Sequence, residues 1–222
     1  MDTTRHDSST RPADALAHPV ASTRLRAALA AGTRPDPALI DVLLDRCRVE
    51  PDFFVRDMLT WALTRHPAST TVPRLLAEVG SNHAQARSQA LHTLSKVKAR
   101  TAWPAVRAAL HDTDDGVARS AWRAAVVLVP PEQEAGLAVE LTRELGRGDR
   151  DSWLSLSRAL VALGDAARAP LEAASDSTDP RVQEHAVATE ELRRDPDGGF
   201  ALAEAARVVL TSAAPTIRDE PC

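Results

Sequence analysis

Few residues able to do chemistry stand at spacings that would let them do it. "HDTDDG", starting at His111, imitates a calcium loop. Counted from Asp112, however, Gly116 falls where a third oxygen ligand belongs and Arg123 where the closing glutamate should be. The seven histidines include no His-x-x-x-His pair and the two cysteines no Cys-x-x-Cys, so no metal is expected. No glycine-rich phosphate loop, Gly-x-Ser-x-Gly elbow or dinucleotide fingerprint occurs, and no cofactor or catalytic residue is expected. The nearest approach to a reactive pair is Asp57 with Trp61, a carboxylate and an aromatic four apart on one helical face.

What does recur is an arginine. Aligning Arg56, Arg87 and Arg119 brings an apolar or small residue into register three on (Leu59, Ala90, Trp122) and a short pair at six and seven (Ala62-Leu63, Thr93-Leu94, Ala125-Val126). "LSLSRALVAL" continues the series with Leu156 in the arginine's place, and "DPRVQEHAVATEEL" with Gln183. A second, offset series starts at prolines 37, 73, 104, 131 and 170, and proline is tolerated in a helix's first turn. Each unit is therefore a helix, an acidic turn and a helix, the turn aspartates serving as N-caps. A period near 31 residues means stacked units, none of which buries its apolar face alone.

Composition agrees. The 222 residues are 44% hydrophobic and 26% charged, with three Phe, four Trp and no Tyr, so alanine, leucine and valine must fill closely approaching helices. Cys47 continues the apolar face of Ile40, Leu43 and Leu44, and Cys222 is terminal, so no disulfide and a reducing, cytoplasmic setting are expected. No apolar run reaches the ~18 residues of a membrane span. Formal net charge is −4, which gives no overall pull towards a polyanion.

The absence of Tyr excludes the tetratricopeptide pattern, and ankyrin's Thr-Pro-Leu-His is missing. The remaining opening of the second helix, Asp-x-x-Val-Arg-x-x-Ala, is displayed by "DFFVRDML" and "DGVARSAW" and, degraded, by "DPRVQEHA". Over roughly residues 36 to 195 the chain resembles the HEAT-repeat family, in its short bacterial HEAT-like form. The resemblance implies an all-α fold, a right-handed α-solenoid of about five HEAT-like helix pairs. Residues 1–20 are expected as a disordered tail, 21–211 as the solenoid and 212–222 as a flexible tail.

The resemblance also implies that the second helices line a concave face. Candidate binding residues on it are Arg56, Asp57, Thr60, Trp61, Gln89, His92, Arg123 and Arg158. The repeated arginines either form a basic stripe there or tether the acidic turns, as Asp52 to Arg56 and Asp115 to Arg119 at i,i+4 would permit; belonging to the repeat pattern, they favour the tether. Trp61 either packs between repeats or offers a stacking surface. Most such solenoids are noncatalytic scaffolds that bind a protein or peptide, which is the expectation here. The alternative is a HEAT-like DNA-binding protein or alkylpurine DNA glycosylase, with Asp57 and Trp61 as its nearest matching pair. A pigment-lyase type finds no specific residue.

Overall fold

The computed structural model describes residues 12–195; the C-terminal tail expected at 212–222 lies outside them. Among the described residues every regular element is helical, and no helix is long and apolar enough to cross a membrane. The described residues divide into two compact units, one ending at Pro131 and the other starting at Glu132.

The first unit contains α1 (Pro12–Leu16), α2 (Ala21–Thr33), α3 (Ile40–Val49), α4 (Phe53–Thr64), α5 (Ala68–Val79), α6 (Ala84–Val97), α7 (Trp103–Ala108) and α8 (Asp115–Leu128). Odd and even helices pair, and the second helices stack in the order α2, α4, α6, α8. The second unit repeats the design with α9 (Glu134–Thr142), α10 (Arg150–Ala162), α11 (Arg168–Ser175) and α12 (Pro180–Arg194), α10 lying against α12. Within each unit this is the stacked helix-pair architecture of an all-α repeat protein.

Two details correct the sequence reading. Residues 12–16, assigned to the N-terminal tail, form α1, because Leu16 is an apolar plug only 1% exposed on a helix that packs against α2 and α3. With α2 this makes a helix pair ahead of the first one read from the sequence. Pro73 does not open its helix. α5 begins at Ala68 with Pro73 inside it, and the exposed ring costs one i→i−4 bond on the solvent side.

The turns are built as their composition predicts. Asp52 accepts from the Val55 N–H (3.0 Å), Asp114 from Val117 (3.0 Å), Asp149 from Ser152 (2.9 Å) and Asp179 from Arg181 (2.9 Å). Each cap satisfies a donor that has no partner within its helix. The core is aliphatic, with Leu43, Leu59, Leu91, Leu94 and Leu128 fully buried. Trp122 joins them, its indole N–H donating to the Leu110 carbonyl at 2.9 Å.

Candidate functional site

At Arg56 and Arg87 the repeated arginine is a tether, and at Arg56 it binds the carbonyls of the preceding turn rather than Asp52 four residues back. Arg56 Nη1 donates to the carbonyls of Glu50 (2.9 Å) and Pro51 (2.7 Å), and Arg87 Nη1 to that of Ser81 (3.0 Å). Arg24 does the same to His18 (2.9 Å) and Pro19 (2.8 Å). The guanidinium thus collects carbonyls of the turn five and six residues before it, while the turn aspartate serves the helix N–H groups. Arg24 extends the arginine series one repeat upstream. In the second unit Leu156 is buried, and Gln183 Nε2 donates to the carbonyl of Ser175, the last residue of α11, at 3.1 Å.

Bidentate arginine–carboxylate forks join successive helix pairs. Arg24 Nε and Nη2 donate to the two oxygens of Glu50, both at 2.7 Å, and Arg87 clasps Asp112 at 2.9 Å and 2.9 Å. Arg48 holds Glu78 in the same way. Glu50 has no exposed side-chain surface. Burial alone would raise its pKa, but hydrogen bonds from Arg24, from the Asp52 N–H and from Arg46 outweigh that and hold the carboxyl below its ordinary value. Its Oε1 accepts the N–H of the cap residue Asp52 (2.9 Å), as Asp112 Oδ1 accepts that of Asp114 (2.9 Å).

The predicted binding residues separate into spent and available groups. Thr60 is only 2% exposed and accepts from Gln89 Nε2 at 2.7 Å. Both therefore bridge α4 and α6, and Thr60 is removed from any binding surface. Arg56 is tied to its turn as described. Asp57 and Arg123 are exposed, and among the described residues Arg123 bonds its own helix, through the Arg119 carbonyl and Ser120 Oγ. His92, half-buried on α6, has its pKa lowered by burial and then by Lys96 and Arg123, with Asp57 opposing. Asp57, His92 and Arg123 are thereby brought together across α4, α6 and α8. Arg158 is exposed on α10, in the other unit.

Trp61 is 37% exposed, with the Arg65 guanidinium 5.9 Å from its ring. The ring rests on α2 at Gly32, where an added Cβ would collide with the indole and come within 2.9 Å of the Ala62 Cα. Gly32 therefore lets the backbones approach and seats the indole with one side towards solvent. On the same two helices Leu29 (α2) is 46% and Phe54 (α4) 71% exposed. Neither was singled out from the sequence, although Leu29, Trp61 and His92 each stand five beyond a series arginine.

A serine–histidine contact in the second unit invites a catalytic reading that its protons refute. Gly146 N–H donates to His185 Nδ1 (3.0 Å), so a neutral ring carries its proton on Nε2, facing the Trp153 carbonyl (3.0 Å) and Ser157 Oγ (3.1 Å). Thr189 Oγ1 donates to the His185 carbonyl (2.8 Å) and receives the Ser157 hydroxyl (2.7 Å). The imidazole has no lone pair to offer Ser157, and all three side chains are fully buried. The cluster is a structural bridge between α10 and α12, with His185 stacked on Trp153 at 4.5 Å. Gly146, at φ +80°, serves it because a Cβ there would press on the α12 backbone.

Among the described residues no group of three His, Cys, Asp or Glu is placed to hold a metal ion. The depression beside Cys47, lined by Leu44, Leu63, Leu75 and Ala86, measures about 190 Å³. That is below the roughly 300 Å³ at which ligand pockets begin.

No protein-family model matches the chain, and no curated protein does. Among solved structures it is similar to an engineered protein at 17% identity and TM-score 0.43, covering 80% of this chain and 95% of that one. A designed armadillo repeat protein matches at 15% identity and TM-score 0.42, covering 82% and 98%.

Proposed function

We propose that the chain is a noncatalytic, HEAT-like repeat scaffold of the cytoplasm that binds a protein or peptide through the exposed face of its second helices. The observation that carries this reading is the part-exposed indole of Trp61, seated on a glycine that admits no side chain, on helices that also expose Leu29 and Phe54. Large apolar groups on rigid helices bind with little ordering cost. The unpaired, buried thiol of Cys47 suits a reducing compartment.

DNA binding or base excision is the second reading, favoured by exposed Asp57 standing four residues before Trp61 on α4. Against it, the formal net charge of −4 gives no overall pull towards a polyanion. The test places a photo-crosslinking residue at position 61 of the full chain and, as control, at exposed Ala173 on α11. A protein adduct at 61 and none at 173 supports the scaffold. Tight, steeply salt-dependent binding to duplex DNA, or release of an alkylated base abolished by Asp57→Asn, overturns it.

A further inference from the structure

We infer that the occupant of this face is an acidic peptide segment carrying a large apolar side chain; the inference rests on the scaffold reading and specifies its partner. Charge in the first unit is segregated. α2 and α6 contain no carboxylate, α4 contains only Asp57 and α8 only Asp115 at its first turn. The other acidic residues of the described first unit sit on α1, on α3, on α5 and in the turns. A chain of negative net charge therefore presents a basic row.

Part of that charge is already spent. Arg24 and Arg87 are clasped by Glu50 and Asp112, and Arg56 is held by carbonyls. Arg65, Lys96 and Arg123 are exposed and make no ion pair with another described residue. Arg65 leans on the Trp61 ring, and Arg123 bonds neutral groups of its own helix. Lys96 and Arg123 both act on His92, which places their charges around one point beside the indole's helix. A neutral segment docking here would strip water from these cations and return nothing, whereas carboxylates would pair with them. The aliphatic and aromatic surface of Leu29 and Trp61 calls for an apolar side chain between those carboxylates. A nucleic-acid backbone fits less well, since a regular phosphate track over this face would meet the carboxylate of Asp57 and the apolar groups as well as these few cations.

The probe is a phage-displayed library of random dodecapeptides selected on the full chain, with winners resynthesised and measured by fluorescence anisotropy. Selected sequences should be rich in Asp and Glu around a Leu, Phe or Trp. Their affinity should fall at least about tenfold for the Lys96→Glu/Arg123→Glu variant and for Trp61→Ala, and weaken with salt. All three altered residues are exposed, and circular dichroism checks that the variants fold. Neutral or basic winners that still need Trp61 would overturn the acidic partner while leaving the scaffold reading intact. Winners indifferent to Trp61, or displaced by duplex DNA at equal or lower concentration, would overturn both.

Discussion

Acid should loosen the contact between α10 and α12 through one imidazole. His185 is fully buried, and burial, opposed only by its bond to the Trp153 carbonyl, pushes its pKa from 6.5 to about 4. Protonation would also set an Nδ1–H against the Gly146 N–H that now donates to that atom. Above about pH 6.5 both folded and unfolded chains hold the ring neutral, and its full contribution to stability is present. As pH falls towards about 4, the unfolded chain takes up a proton that the folded one refuses, and stability declines. Below that, both states are protonated and no more is lost. At roughly 1.4 kcal/mol per pH unit, the loss is about 3 kcal/mol. The assay is hydrogen exchange of peptides covering residues 180–195, corrected for intrinsic rates, in the full chain and in His185→Gln. The variant keeps a donor towards Ser157 but does not titrate. Between about pH 7.5 and pH 4 the wild type should lose roughly 3 kcal/mol of protection relative to the variant. A relative change below about 1 kcal/mol, or an imidazole seen by NMR to titrate near 6.5, would refute the proton assignment.

Three further outcomes follow from the first unit. Gly32→Ala should destabilise by roughly 1–3 kcal/mol despite alanine's better helix propensity, because α2 and α4 must separate, and tryptophan emission should shift as Trp61 leaves its seat; urea unfolding with fluorescence reads both. Glu50→Ala should cost roughly 3–5 kcal/mol in the same experiment, since it strands the buried guanidinium of Arg24, and Arg24→Met combined with it should recover part of the loss. The Cys47 thiol, pushed up to about 12 mainly by burial and then by Glu78 and Glu50, should resist iodoacetamide in the native chain and react once urea unfolds it, as peptide mapping will show.

The repeat was legible because its signals are local. An aspartate cap, a valine and an arginine within one turn can be found by sliding the chain against itself. Arg24 escaped that search because its turn reads His18-Pro19-Val20, with no capping side chain, and its main partner Glu50 lies in the next repeat. Ser88 with Ser120 (2.8 Å) and Ser157 with Thr189 (2.7 Å) are polar contacts at a spacing of 32 residues. Aligning buried polar positions at the arginine period would have revealed them. The seat of Trp61 left no such mark, since a glycine in a helix reads as a weakness until the backbone crossing it is known. Thr60 misled for the opposite reason: its helical position is shared with exposed Arg123, and only the reach of Gln89 from the next helix takes it inward.

The forks of the first unit also have a mechanical meaning. Arg24–Glu50, Arg48–Glu78 and Arg87–Asp112 fasten each helix pair to the next, so a pull along the stack loads them in series. Apolar contacts between helices slide and re-form under such a load, whereas a two-pronged bond holds its register until it lets go. The unit should therefore resist small extensions stiffly and yield one junction at a time.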